Sequence, residues 1–160
     1  MSKKPRQPAE LLRQYGVIPV RKRKHGKQVL LLTSRETGRW IVPKGWPMRH
    51  RSPAEAAARE AYEEAGLKGT VMEPAIGRYI YRKIGKHGAA RRISVEVFLM
   101  RVSRQLRDWP EKHERNFQWL APAKAASFVK ERRLATLIGK AGRIRWVTVR
   151  KRKGRKTRKK

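Results

Sequence analysis

Three glutamates, Glu60, Glu63 and Glu64, fall within five residues near the middle of a strongly basic chain. On a helix that advances about 100° per residue, their carboxylates lie on one face. Carboxylate oxygens grouped in this way are hard ligands that suit Mg²⁺ or Mn²⁺. The spacing therefore indicates a divalent metal site that handles phosphates. An ordinary amphipathic helix with a solvated acidic face would also place these three residues together.

The residues around the glutamates predict a helix over Pro53–Ala65. Ser52 suits the N-cap, Pro53 suits the first helical position, and Glu55 follows Ser52 at the capping-box distance. Gly66 suits the left-handed residue that often ends a helix. These local signals would fix the helix and hold the three glutamates in register.

Small residues form a second stripe on the same helix, roughly 120° around from the glutamates. The stripe consists of Ala54, Ala57, Ala58, Ala61 and Ala65. It predicts close packing of the helix on a sheet. Ala56 is expected on the glutamate side, where its small side chain would leave room for a metal and a phosphate.

The whole segment resembles the Nudix box. That pattern is Gly, five residues, Glu, seven residues, Arg-Glu, an apolar residue, any residue, Glu-Glu, any residue, Gly and an apolar residue. The matching positions are Gly45, Arg59, Glu60, Ala61, Glu63, Glu64, Gly66 and Leu67. Arg51 stands where the pattern has its first glutamate, which reverses the charge at that position and bears on the loop geometry and the number of metals.

The resemblance implies a fold and a set of roles. The fold would be the α/β Nudix-type α/β/α sandwich with a mixed sheet. Glu60 and Glu64 would bind the metal together with the backbone carbonyl of Lys44 or Gly45, and Glu63 would act as the base. Two further stretches, Trp40–Trp46 and Trp109–Trp119, are similar to the diphosphoinositol polyphosphate and diadenosine polyphosphate hydrolases.

Several side chains near the box are candidates for supporting roles. Arg59 precedes Glu63 by four residues, which on a helix allows an ion pair that orients the acidic cluster. Lys44, Arg49 and Arg51 flank the loop and would grip phosphates, unless they are simply solvated surface charges. The loop that precedes the predicted strand Phe117–Leu120 is called the late loop. Two acids in it, Glu111 and Glu114, are candidates for a further ligand or base.

Composition and charge limit the class of protein. Lys and Arg number 43 against 12 Asp and Glu, which gives a formal net charge of +31, and there is no cysteine. Disulfides and thiolate metal sites are therefore excluded. No apolar run reaches the length of a membrane span, so we expect no membrane partner, and the N-terminus lacks the apolar core of a secretory signal. The expected location is the cytoplasm.

The chain is expected to divide into three parts. Residues 1–13 would form a flexible basic arm with a short helical turn at Ala9–Arg13, residues 14–140 the Nudix domain, and residues 141–160 a disordered tail that contains 11 of the basic residues. Such a tail either only solubilises the protein or contacts RNA or another polyanion without sequence specificity.

Alternating apolar residues and turn signals predict seven strands and two helices besides Pro53–Ala65. The strands are Tyr15–Lys22, Gln28–Ser34, Trp40–Pro43, Gly69–Met72, Gly77–Lys83, Arg92–Val102 and Phe117–Leu120, and the helices are Pro122–Lys130 and Arg133–Lys140.

The predicted function is a metal-dependent pyrophosphohydrolase that uses Mg²⁺ or Mn²⁺. It would cleave a phosphoanhydride in a small phosphorylated substrate that is nucleoside-diphosphate-linked or of the inositol pyrophosphate type. Two alternatives stay open. One is an RNA 5′-pyrophosphohydrolase, which the charge favours, and the other is a catalytically weak polyanion-binding protein of the same fold, for which Arg51 is the only indication.

Overall fold

Seven strands and three helices make up the part of the chain that the computed structural model describes, residues 11–146. The strands are β1 (Leu11–Arg23), β2 (Gly26–Thr33), β3 (Trp40–Ile41), β4 (Lys44–Gly45), β5 (Leu67–Ile84), β6 (Ala90–Gln105) and β7 (Phe117–Leu120). The helices are α1 (Pro53–Ala65), α2 (Pro122–Phe128) and α3 (Arg132–Arg143).

All seven strands belong to one mixed sheet. The main path is β3-β2-β1-β6-β5, while β4 pairs with β1 and β7 pairs with β2. Strands β1 and β6 run parallel, from Leu11 beside Arg92 to Val20 beside Arg101, and the other pairs are antiparallel. The predicted mixed sheet is confirmed.

Side chains of the central strands alternate between the two faces of the sheet, and a separate hydrophobic core forms on each face. In β1, Ile18 and Val20 face one side of the sheet and Val17 faces the other. The first side is covered by α2 and α3 through residues such as Leu137, and the second by the alanines of α1, including Ala57. Helices on both faces of one sheet make the α/β/α sandwich that was predicted.

The bounds of α1 are those predicted from its capping residues. Ser52 Oγ accepts a hydrogen bond from the Glu55 amide at 3.2 Å. Gly66 ends the helix with φ of 66°, in the left-handed region, and its amide donates back to the helix. A Cβ on Gly66 would also lie 2.3 Å from Cε3 of Trp109, so both the backbone angle and the close packing require glycine.

One expectation about the alanines of α1 is wrong. Ala56 is buried, with 1% of its surface exposed, whereas Ala58 is only partly buried. The reason is that α1 contacts β1, β4, β5 and β6, so its buried face is wider than a single stripe and includes the side next to the glutamates. Ala56 therefore contributes to packing and does not leave open space.

Three predicted elements differ from the structure. The strand predicted at Trp40–Pro43 is shorter, because only β3 (Trp40–Ile41) pairs with β2, and a separate strand, β4, follows at Lys44–Gly45 and pairs with β1. The strands predicted at Gly69–Met72 and Gly77–Lys83 are one strand, β5, whose register with β6 shifts between Met72 and Gly77. Residues 11–13 are strand, paired with β6, where a helical turn was predicted.

The ends of the folded part also differ from the predicted boundaries. β1 begins at Leu11, and α3 continues through Arg143 with Ala141 fully buried. Ile144 and Trp146 pack against the core between the sheet and α3. The rest of the predicted arm, residues 1–10, and of the predicted tail, residues 147–160, lies outside the described residues. In the region from 11 to 146, no helix is long and apolar enough to cross a membrane.

Candidate active site

A cavity of about 640 Å³ opens between the second half of α1, the loop around β4 and the end of β5. Thirteen charged residues line it. The acidic ones are Glu36, Glu60, Glu63, Glu64, Glu111 and Glu131, and the basic ones are Arg35, Arg39, Lys44, Arg82, Lys83, Arg115 and Lys130. The three glutamates of α1 thus share one cavity, as the helical spacing predicted.

Glu64 is the most buried of the three and has fixed partners. One carboxylate oxygen accepts from the Lys44 amide at 3.2 Å, and the other accepts from Arg115 Nη2 at 3.1 Å. Its backbone carbonyl accepts from the indole of Trp109 at 3.2 Å. Burial raises the pKa of Glu64 to about 8, although Arg115 lowers it.

Glu60 lies directly against the backbone of β4. A Cβ added to Gly45 would come within 2.2 Å of Glu60 Oε1, so the carboxylate occupies the space that any side chain at this position would need. Burial is the largest cause that raises the pKa of Glu60 to about 7, followed by the negative charges of Glu63 and Glu111. Glycine at position 45 therefore lets this carboxylate approach the backbone of β4.

Glu63 makes the ion pair with Arg59 that the helical spacing predicted. Arg59 Nε donates to Glu63 Oε1 at 2.8 Å, and the two side chains are 40% and 30% exposed. The backbone carbonyl of Glu63 accepts from the Glu111 amide at 2.9 Å, which ties the late loop to α1. Glu63 is therefore more accessible than Glu64, whose side chain is 5% exposed.

Two of the three carboxylates pair with different arginines. Among residues 11–146, no group of three acidic, histidine or cysteine side chains is arranged to hold a metal ion as it stands. Glu63 is drawn towards Arg59 and Glu64 towards Arg115. The donors nevertheless fit a hard divalent cation, because they are carboxylate oxygens. Burial is the main cause of the raised pKa values of Glu60 and Glu64, and a cation bound beside them would favour their ionised forms.

Arg115 is a functional residue that the sequence interpretation missed. Besides Glu64, it contacts Glu111 Oε1 at 3.1 Å and donates from Nη1 to the Thr33 carbonyl at 3.1 Å. It thereby joins α1, β2 and the late loop around the acidic cluster. Its position four residues after Glu111 is the one sequence signal that pointed to it.

A chain of hydrogen bonds extends from Lys44 along the opposite wall of the cavity. Lys44 Nζ lies 3.3 Å from the Tyr81 hydroxyl, which donates to Gln14 Oε1 at 2.8 Å. Gln14 is buried and Lys44 is nearly so, and burial lowers the pKa of Lys44 while Glu64 raises it. Neither Tyr81 nor Gln14 was identified from the sequence, since both lie on strands far from the box.

A match to a family model identifies the family of this chain. A family model described as the NUDIX domain matches residues 11–138. The chain belongs to the NUDIX domain family. Nudix hydrolases generally use divalent metal cations, which agrees with the acidic donors on α1.

Curated relatives are similar over part of their length. Nudix hydrolase 21, chloroplastic, from Arabidopsis thaliana is 34% identical over 114 residues, which cover 69% of this chain and 56% of that protein. Diphosphoinositol polyphosphate phosphohydrolase 3-alpha from Mus musculus is 34% identical over 91 residues, covering 57% of this chain and 51% of the relative. The chain spans about half the length of the curated relatives it matches.

Solved structures share the fold. The crystal structure of the C. elegans Ap4A hydrolase matches with a TM-score of 0.58 and 21% identity, over 82% of this chain and 96% of that one. This similarity confirms the Nudix fold.

Not every residue predicted for this Nudix site lies at the cavity. Arg49 and Arg51 are exposed on the loop before α1 and do not line its wall. Of the two late-loop acids, Glu111 faces the cavity, whereas Glu114 pairs with Arg35 at 3.5 Å and does not line it. Trp46 lines the mouth of the cavity and is 44% exposed.

Proposed function

We propose that this Nudix protein hydrolyses a phosphoanhydride bond in a small phosphorylated compound with the help of Mg²⁺ or Mn²⁺. The substrate is nucleoside-diphosphate-linked or of the inositol pyrophosphate type. The observation that carries this proposal is the single cavity in which the acidic face of α1 opposes Lys44, Arg82 and Lys83. The named activities of two relatives, a diphosphoinositol polyphosphate phosphohydrolase and an Ap4A hydrolase, support the substrate class.

Three residues would hold the metal: Glu60, Glu64 and, through its backbone carbonyl, Gly45. A bound divalent cation supplies neutralisation of phosphate charge and a water of lowered pKa. The rigid hydrogen bonds of Glu64 and the close approach of Glu60 to Gly45 would keep these donors in place. The protein would thus supply two carboxylates and a backbone carbonyl in one cavity, and such oxygen donors suit a hard divalent cation.

Glu63 is the residue we assign as the general base. It lines the cavity, is more exposed than Glu64, and is fixed by Arg59 at 2.8 Å. A carboxylate in this position can accept the proton of an attacking water. Arg59 would orient Glu63 through the hydrogen bond from its Nε.

Phosphate groups would be bound on the cationic side of the cavity. Lys44 is the best-placed candidate, because its ammonium is held by Tyr81 and faces the same cavity as Glu60 and Glu64. Arg49 and Arg51 stay proposed contacts for parts of a substrate that extend out of the cavity along the loop before α1. In that position Arg51 would bind substrate and would not help to coordinate the metal.

A phosphate-release assay tests the proposal. The purified full chain is supplied with Mg²⁺ or Mn²⁺ and a panel of dinucleoside polyphosphates, inositol pyrophosphates, nucleoside triphosphates, ADP-ribose and triphosphorylated RNA. We expect release from a dinucleoside polyphosphate or an inositol pyrophosphate, loss of release in EDTA, and loss in Glu64→Gln. Glu55→Gln is the matched control, since Glu55 is exposed in the first turn of α1.

The outcomes separate the competing functions. Preferential turnover of triphosphorylated RNA would replace the proposed substrate class by the RNA alternative. Absence of turnover across the panel, with the fold intact, would favour a binding protein. Undiminished activity in EDTA or in Glu64→Gln would show that the metal proposal is wrong.

A further inference from the structure

A second charged region lies at the hairpin between β1 and β2, far from the cavity. Lys22, Lys27 and Arg101 surround the ring of Trp146, with their charged groups 5.1, 4.4 and 5.1 Å from its centroid. These four residues are called the hairpin surface. Trp146 packs against the core, so the three cations are gathered on a fixed aromatic base.

The hairpin surface has no acidic counterpart in the described structure. Across residues 11–146, none of its three cations lies within 4.0 Å of a carboxylate. By contrast, several cations that line the cavity or lie on α1 beside it do form ion pairs, namely Arg35, Arg39, Arg59, Lys83 and Arg115. Lys22 and Lys27 are moreover directly opposed across the β1–β2 pair. Like charges in that arrangement repel, so this surface attracts an anion from outside the fold.

The opposite face of the same hairpin is also basic. A small hollow there is lined by Arg21, Arg23 and Arg104, and the guanidinium of Arg21 stacks on Trp119 at 4.0 Å. Burial and the charge of Arg23 lower the pKa of Arg21, and burial, Lys22 and Arg145 lower the pKa of Lys27. Both faces of one hairpin therefore concentrate positive charge, which suits a long anion better than a single phosphate.

The distance from the cavity makes this region independent of the proposed hydrolysis. Gly45, at the cavity, pairs with Tyr15 near the start of β1, and Lys22 follows seven residues further along the strand. At about 3.3 Å per residue this separation is about 23 Å. It exceeds the Debye length of about 8 Å in physiological salt, so the hairpin cations contribute little to a small ligand bound in the cavity.

We propose that the hairpin surface binds the phosphodiester backbone of nucleic acid. Nucleic acid is favoured over an anionic membrane, because the large apolar side chains exposed in residues 11–146 are Leu11, Trp46, Ile80, Ile84 and Phe117, and none of them lies at the hairpin. Without an exposed apolar residue to insert, an anionic membrane would be held there by charge alone. The contacts are to phosphates, so RNA and DNA of one sequence are bound with similar affinity.

The test measures how binding of the full chain depends on salt. Fluorescence anisotropy follows a short labelled single-stranded RNA, and its DNA counterpart, between about 50 and 200 mM NaCl. The variant Lys22→Gln/Lys27→Gln/Arg101→Gln removes three positive charges. We expect the slope of log K against log salt to become less steep by about 2, since each lost phosphate contact accounts for roughly 0.7.

Two control variants separate this site from overall charge. Lys86→Gln/Lys124→Gln/Arg132→Gln removes the same charge from exposed positions elsewhere and is expected to change the slope by less than about 0.5. The charge-preserving Lys22→Arg/Lys27→Arg/Arg101→Lys is expected to keep the wild-type slope. Circular dichroism checks that each variant is folded.

The proposal is overturned if both triple-Gln variants change the slope equally, because the effect would then reflect net charge alone. It is also overturned if the hairpin variant loses binding to vesicles of phosphatidylglycerol and phosphatidylcholine while RNA and DNA binding are unchanged. A difference between RNA and DNA larger than about tenfold would contradict recognition of the backbone alone.

Discussion

Arg115 and Glu64 form a 3.1 Å ion pair between side chains that are 8% and 5% exposed, although 51 positions separate them in the sequence. A buried carboxylate without such a partner is strongly destabilising. The pair also brings the late loop to the acidic face of α1, because Arg115 contacts Glu111 at the same time. Arg115 thus balances the charge of Glu64, the proposed metal ligand, and holds the late loop against α1.

At about pH 9, above the pKa of Glu64, Arg115→Met should destabilise the metal-free protein by about 3–5 kcal/mol, since it leaves the ionised Glu64 buried without its cation. Arg115→Lys should cost less, because it keeps the charge but loses the planar contacts to several acceptors. Urea denaturation in EDTA measures both. Arg35→Met is the control: Arg35 is 54% exposed, and its contacts to Glu111 and Glu114 should contribute less than about 1 kcal/mol. Equal losses for Arg115→Met and Arg35→Met would contradict this role.

Glu60→Gln should raise the melting temperature of the metal-free protein and abolish its stabilisation by Mg²⁺. The pKa of Glu60 is raised from 4.5 to about 7, so the folded state retains a proton that the unfolded state has lost in that range. The free energy of unfolding therefore falls as pH rises from about 4.5 to about 7, and this decrease should be smaller in the variant. Melting curves at several pH values in EDTA measure it. An unchanged pH dependence would show that Glu60 is not desolvated.

Gly45→Ala should lower kcat/KM by about 100-fold or more, because the new Cβ would sit 2.2 Å from Glu60 Oε1 and push that carboxylate aside. Gly139→Ala is a suitable control, since its Cβ would meet only Arg143 Nη1 at 3.5 Å. In that helical position alanine should stabilise the protein by about 0.5–1 kcal/mol. Both variants are checked for fold by circular dichroism, and full activity of Gly45→Ala would show that the position of Glu60 is not critical.

Tyr81→Phe should raise KM for a phosphorylated substrate by about fivefold with little change in kcat. The substitution removes the hydroxyl that lies between Lys44 and Gln14, a hydrogen bond worth about 1 kcal/mol. Lys44 keeps its charge but loses its orientation. Tyr62→Phe, which changes a tyrosine outside the cavity lining, should leave KM unchanged. A decrease in kcat at constant KM would place Tyr81 in the chemical step instead of in binding.

The site could be predicted from the sequence only where its determinants are local. Ser52, Pro53 and Gly66 act within one helix, so the bounds of α1 and the shared face of its glutamates followed from short-range rules. Arg115 and Tyr81 reach the site through strand pairing and loop packing, which short-range patterns do not encode. Arg51 shows a further limit, because a place within the box pattern did not fix whether its side chain lines the cavity, and in the structure it does not.

The folded part extends past residue 140, where the domain was predicted to end, because the basic segment that follows also contains apolar residues that pack against the core. Ala141 is fully buried, and Ile144 and Trp146 pack against the same core as Leu137. Those contacts depend on where α3 lies against the sheet. The density of charged residues therefore predicts that much of this segment is solvated, but it does not predict which of its apolar side chains pack against the core.

Two truncations test where the folded part ends. Removal of residues 141–160 should lower the free energy of unfolding by about 2 kcal/mol or more, because it deletes Ala141 and the partly buried Ile144 and Trp146. Removal of residues 150–160 should leave stability unchanged, since that segment contains only Lys, Arg, Gly and Thr and has no apolar side chain to bury. Urea denaturation of both chains and of the full chain measures the difference. Equal stability of the two truncated chains would mean that the contacts of Ile144 and Trp146 contribute nothing, whereas a loss on removing residues 150–160 would place part of the basic tail in the fold.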